Sequence, residues 1–203
     1  LLGITACGGG TSPHDTGSAS ADTAADSKSA TSIAPSPTSV TVNAVAYNTG
    51  SGDGVVLPIT IEMTDSPDKK LRVDVSENAV AGVGDMMGSL PNKAFRFALD
   101  GYVDGPSAGT LQTIGVLSLL LVDKLLPDVT MTGTINPDGT VGPVGGVPEK
   151  IQGAAAKGFK RFLIPMGMRN SPSEKNEMVD LVSLGADLGV EVKEVATVYD
   201  AYK

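Results

Sequence analysis

The sequence has no tryptophan, one cysteine, one histidine, four phenylalanines and four tyrosines in 203 residues. Each scarcity removes a class of function. With so few aromatic rings there is no stacking platform for single-stranded nucleic acid. A lone Cys7 forms no intrachain disulfide. Cys7 and His14 both lie in a polar N-terminal stretch. They leave no ligand set for zinc or another transition metal, and no Ser-His or Cys-His pair within one chain. No metal and no cofactor is expected. Positive charge is also short: 15 Lys and Arg stand against 23 Asp and Glu, a formal net charge of −8. A nucleic-acid partner is excluded on that ground, because neutralising phosphates needs a basic surface. No phosphate-binding G-x-x-x-x-G-K-[ST] loop is present. The longest apolar run, from Thr113 to Val122, stops at Asp123 and Lys124, too short for a bilayer span and suited to a core helix.

Between Gly8 and Ser39 the only large aliphatic residue is Ile33, among Gly, Ser, Thr, Ala, Asp and Pro. Such a stretch buries too little apolar area to offset its ordering entropy, so residues 1–37 are read as a flexible tether and 38–203 as one folded domain. Ile4-Thr5-Ala6-Cys7 resembles the lipobox of bacterial lipoproteins. That resemblance implies lipidation of Cys7 and an extracytoplasmic domain held at the bacterial cell membrane surface.

Alternation of apolar and polar residues predicts strands over Ser39–Tyr47, Val55–Thr64, Leu71–Val80 and Lys93–Leu99, the first three as an antiparallel meander. Pro58 suggests that the second strand is an edge or carries a bulge. A short helix is predicted over Ala81–Leu90. A long buried helix is expected over Ser107–Leu126, ended by Pro127 and Asp128. Strands then follow over Val129–Ile135, Phe159–Pro165 and Val190–Val195, with helices over Pro148–Gly158, within Ser171–Gly189, and at the C-terminal end. Strands first, then β-α-β-α units, make an α+β domain of mixed α/β layers.

Three residues carry the chemistry. Ser107, in DGPSAGT, sits where a loop meets a helix start, and free backbone N–H groups and the helix dipole there favour a developing oxyanion. A serine hydroxyl needs a base, and without a usable histidine a lysine is the substitute, provided that it is neutral near working pH. Lys150 lies in the first turn of a helix, where the dipole disfavours an ammonium, and it follows the apolar, glycine-rich VGPVGGV. Taken singly, Ser107 is a helix cap, Lys150 a solvated helix lysine and Thr132 a β-former in a strand.

Taken together, DGPSAG, MTGTI, VGPVGGVPEKIQGAAAKG and FLIP resemble the proteolytic domain of Lon proteases over roughly Ser39 to Lys203. The resemblance implies a serine–lysine dyad with Ser107 as nucleophile and Lys150 as general base. It implies that Thr132 orients the lysine amine, that Asp104 supports the site, and that backbone groups near Asp104 and Ser107 hold the oxyanion. Phe95 and Phe97 stand where the family often has histidines, and Thr134 where it has a glutamate. The implied partners are unfolded or extended polypeptides, copies of the chain in a homo-oligomer (hexameric in the family), and a separate ATPase, since no ATPase module is present. The other reading is a non-catalytic Lon-like binding or assembly module on the cell surface.

Overall fold

The computed structural model describes residues 37–66, 72–73, 83, 87, 92–99 and 105–203. These all fall in one of the two units into which the chain divides, Pro35–Lys203. Cys7, His14 and Asp104 lie outside the described residues, as do nearly all of the expected tether and most of 74–91.

The N-terminal half is one sheet. β1 (Ser39–Asn48) and β2 (Asp53–Asp65) form an antiparallel hairpin, and β4 (Lys93–Leu99) pairs antiparallel with the other side of β2. β3 (Arg72–Val73) runs parallel to β4 at the far edge, so the order is β1-β2-β4-β3. The expected meander is therefore corrected: β4 takes the place beside β2. β2 is also interior rather than an edge. Among the described residues, the pairing of β2 with β4 runs from Asp65 to Ile59. Val83 and Met87, from the helix expected over Ala81–Leu90, are both helical, and Val83 is fully buried.

α1 (Gly109–Leu121) crosses this sheet. Gly115 permits the contact: a Cβ there would overlap Ile61 and come within 3.0 Å of Val42. The helix is shorter at both ends than the apolar run predicts. Ser107 precedes it, and it stops at Val122, which adopts the left-handed conformation (φ 60°) and returns its N–H to the Ser118 carbonyl. Asp123 N–H bonds the same carbonyl at 2.9 Å, and Leu125 then turns back against the core.

The C-terminal half is a parallel sheet of β5 (Val129–Met131), β8 (Arg161–Pro165) and β11 (Glu191–Val195), with β8 in the middle. Its two faces feed two apolar clusters. Met131, Leu163 and Val195 join α1, the first sheet and α4 (Val198–Tyr202); Phe162, Ile164 and Val192 join α2 (Val147–Ala156) and α3 (Leu181–Leu188). Alternation along each strand produces this division. The strand expected over Val129–Ile135 is broken. Thr132 N–H still bonds the Leu163 carbonyl (3.1 Å), but Gly133 N–H turns to Ser107. The chain resumes as β6 (Thr134–Ile135), antiparallel to β7 (Val141–Gly142) across the NPDGT turn. A small hairpin of β9 (Asn170–Pro172) and β10 (Met178–Asp180), absent from the sequence reading, precedes α3, whose start Asp180 caps through Val182 and Ser183 N–H.

The domain is thus an α+β fold with an antiparallel layer and a parallel layer, as the strand pattern predicts.

Candidate active site

Three separate elements deliver the three singled-out residues. Ser107 lies in the turn before α1, Thr132 at the carboxyl end of β5, and Lys150 in the opening turn of α2. α2 opens at Gly146, whose φ of +64° is left-handed and whose missing Cβ leaves room for Tyr47. Pro148 occupies the first turn, where its absent N–H costs nothing. Below, Gly54 and Gly153 let β2 and α2 meet backbone to backbone, since a Cβ on either would overlap the other element. This contact presses the helix carrying Lys150 onto the sheet.

Lys150 is 3% exposed and has no carboxylate partner among the described residues. Its ammonium donates to Thr132 Oγ1 at 3.2 Å. Burial brings its pKa from 10.5 to about 8. Desolvation of the charged form is the cause, because a buried ammonium gives up hydration that one hydroxyl does not replace. Thr132, fully buried, donates its own hydroxyl hydrogen bond to the Ser107 carbonyl at 3.2 Å. Gly133 N–H bonds the same carbonyl at 2.8 Å.

The Ser107 turn is thus fastened by its carbonyl, which leaves its side chain outside these bonds. Thr110 completes the fastening from the first turn of α1: its N–H donates to Gly133 O (3.1 Å) and its hydroxyl to Thr134 O (2.9 Å). Gly109 makes the approach possible, since a Cβ there would stand 3.1 Å from Ile135 Cγ2. Ser107 Oγ, half-buried, makes no hydrogen bond among the described residues, so the helix-cap reading does not describe it. Nor do the N–H groups of Ser107 and Ala108 donate to any described residue. The structure therefore joins Lys150 to Thr132, and Thr132 to the Ser107 carbonyl, without a direct Ser107–Lys150 hydrogen bond.

Sequence reasoning missed two contributors. Thr110 is one; a threonine facing inward at a helix start has no signature that separates it from a cap. The other is a carboxylate group around Glu149. Glu149 Oε1 accepts Glu174 N–H (2.8 Å), while its Oε2 is buried with no partner among the described residues. The neighbouring Glu174 carboxylate, with desolvation and the negative charge of Glu149 and Asp53, holds the Tyr47 pKa up at about 12. Only the fold brings residues 47, 149 and 174 together.

Residues 100–197 match the family model of the Lon protease (S16) C-terminal proteolytic domain. Over these residues the chain is similar to the proteolytic domain of Lon proteases. It is 40% identical over 85 residues to the Lon protease of Phenylobacterium zucineum, covering 40% of this chain and 11% of that protein. Against the Lon protease of Campylobacter concisus the figures are 37% over 102 residues, 49% of this chain and 12% of that protein. The peroxisomal Lon protease homolog 2 of Eremothecium gossypii is 29% identical over 175 residues, 72% of this chain and 16% of that protein. The chain thus spans a small part of the length of these relatives, and the match includes Ser107, Thr132 and Lys150.

Proposed function

We propose that this domain is an ATP-independent serine endopeptidase acting on unfolded or extended polypeptides through a Ser107–Lys150 dyad. The observation that carries the reading is Lys150: a buried lysine with its pKa lowered to about 8, bonded to Thr132, which is in turn bonded to Ser107. A lysine in that state is a base at near-neutral pH. Similarity to a protease domain family supports the same conclusion.

In the proposed reaction Ser107 Oγ attacks the scissile carbonyl carbon while its proton moves to the neutral Lys150 amine. The carbonyl oxygen becomes an oxyanion. The unengaged N–H groups of Ser107 and Ala108 receive it, together with the segment at Asp104. Collapse breaks the C–N bond, and Lys150 gives its proton to the departing amine. Lys150 then takes a proton from the water that attacks the acyl ester, and returns it to Ser107 Oγ as the ester C–O bond breaks. Thr132 keeps the lysine amine pointed into the site throughout. The reaction requires Ser107 Oγ and the amine to come within hydrogen-bond reach, a tightening common when substrate binds.

Tethering through a lipidated Cys7 at the extracytoplasmic face of a bacterial membrane, a homo-oligomeric ring and chain delivery by a separate ATPase complete the proposal. None of the described helices is long and apolar enough to cross a membrane. Detergent phase partitioning of the full-length protein against Cys7→Ser tests the tethering: loss of the detergent-phase form in the variant is expected.

The decisive experiment is cleavage of casein without ATP by the wild type, Ser107→Ala and Lys150→Met. Cleavage by the wild type alone is expected. The absence of a Ser107–Lys150 hydrogen bond favours the second reading, a non-catalytic assembly module; folded wild type that neither cleaves casein nor reacts with a serine-directed probe would establish that reading instead.

A further inference from the structure

One face of the β5–β8–β11 sheet borders a cleft beside the first half of α1, the 123–126 turn and the C-terminal end of α4. It encloses a cavity of about 380 Å³. This is within the roughly 300–1,000 Å³ range of small-molecule sites. None of Ser107, Thr132 or Lys150 lines it, so it is separate from the dyad. The floor is apolar: Leu111 and Ile114 from α1, Met131, Leu163 and Val195 from the three strands.

The charge around it runs against the rest of the chain. Lys124, Arg161, Lys193 and Lys203 line the cavity, with only Asp123 and Asp200 opposing them, in a protein of net charge −8. Both acids are already engaged: Asp123 accepts the Tyr202 hydroxyl (2.7 Å), and Asp200 accepts from Thr197 N–H (3.1 Å) and Oγ1 (2.8 Å). Two of the cations are engaged as well. Arg161 pairs with Glu191 at 2.7 Å, and Lys203 stands over the Tyr199 ring at 3.9 Å. Lys124 and Lys193 have no ion pair among the described residues, and both are exposed. An apolar floor beneath two free ammonium groups is complementary to an apolar chain with an anionic head. The wall beside it is strained: Val122, β-branched and with φ of 60°, precedes the lining turn, and such strain is kept where surrounding structure or function requires it.

We propose that this cavity is a binding site for a free, monomeric apolar carboxylate of the medium-chain fatty-acid class. The hydrocarbon lies on Leu111, Ile114, Met131, Leu163 and Val195, and the carboxylate meets Lys124 and Lys193. The site is one residue along β5 from Thr132, yet its occupancy is read by binding alone and does not depend on peptidase activity.

The test is calorimetric titration of the full chain with decanoate, beside decyltrimethylammonium, which has the same chain and the opposite charge. One decanoate per chain is expected, with no saturable heat from the ammonium. The double variant Lys124→Glu, Lys193→Glu, at two exposed positions and checked for folding by circular dichroism, is expected to bind about tenfold or more weakly, the size of a lost charge-assisted hydrogen bond. Absence of decanoate binding, equal binding of the two amphiphiles, or unchanged affinity in the folded double variant would each overturn the proposal. So would binding to phosphatidylglycerol vesicles without binding to free decanoate, which would make the face a lipid-headgroup surface. Self-association that buries this face, seen by sedimentation velocity with no decanoate bound, would assign it to a second copy.

Discussion

Lys150 is the residue on which chemistry and stability meet. Its pKa of about 8 in the folded chain lies below the 10.5 of an exposed lysine. As the proposed base it would work only when neutral, so casein cleavage is expected to rise about tenfold per pH unit up to about pH 8 and then level off. A pH–rate profile that is flat between pH 6 and 8 would remove Lys150 from the role of base. The same shift fixes the sign of its effect on stability. Between about pH 8 and 10.5 the unfolded chain binds more protons at this position than the folded one, so this lysine's contribution rises with pH across that window. Below pH 8 both states are protonated and the full penalty of burying the charge stands, at about 3 kcal/mol. Lys150→Met is therefore expected to be more stable than the wild type in urea at pH 7, by up to about 3 kcal/mol, with the difference shrinking toward pH 10.5. Val122 offers a second residue-scale test. A β-branched side chain in the left-handed region costs roughly 1–2 kcal/mol, so Val122→Gly, half-exposed in a turn, should raise the urea midpoint by an amount equivalent to about 1 kcal/mol.

At the scale of elements, the site depends on how closely β2 and α2 approach. Gly54 and Gly153 face each other there, with Glu149 and Lys150 in the same contact. Alanine in place of Gly153 would ordinarily favour a helix interior by about 1 kcal/mol. Here its Cβ would overlap the Gly54 backbone, and Gly54→Ala would overlap the Glu149 carbonyl. Each substitution is expected to cost about 1–3 kcal/mol as overpacking and, by displacing α2, to lower casein cleavage as well. Gain of stability in Gly153→Ala would show that the helix shifts freely and that the contact does not hold Lys150 in place. The interruption of β5 and β6 at Thr132–Gly133 belongs to the same scale. One residue stays in the sheet and bonds the lysine through its side chain, and the next turns its N–H to the serine turn, a bond that a continuous strand would not have supplied.

For the whole molecule, the described residues pack into two apolar clusters on opposite faces of the parallel sheet, within Pro35–Lys203. If residues 1–37 are a tether, a chain beginning at Thr38 should keep the thermal midpoint of the full chain to within about 2 °C, well under the shift that a 1 kcal/mol loss produces in a domain of this size. It should also keep its casein cleavage. A drop of several degrees on scanning calorimetry would instead make the N-terminal segment part of the folded domain.

The sequence by itself determined the α+β class and most strands and helices from Ser39 onward, and it singled out Ser107, Thr132 and Lys150 for the proposed site. These are local properties: period-two alternation, turn chemistry at NPDGT, the Pro and Gly that frame α2, and motif runs matching one family. Boundaries set by long-range bonds were not legible. Thr132–Gly133 has strand-forming neighbours, yet Gly133 leaves the sheet because Ser107, distant in sequence, offers a carbonyl. The apolar run after Ser118 reads as helix to Leu126 but ends at Val122, where Leu125 folds onto the core. β4 displaced the third strand from beside β2 for the same reason, since a sheet's neighbours are chosen by packing and not by chain order. Burial of Lys150 is also a tertiary property. The lysine itself is ordinary, and only the approach of β2, β5 and the Ser107 turn removes the water that would keep it charged.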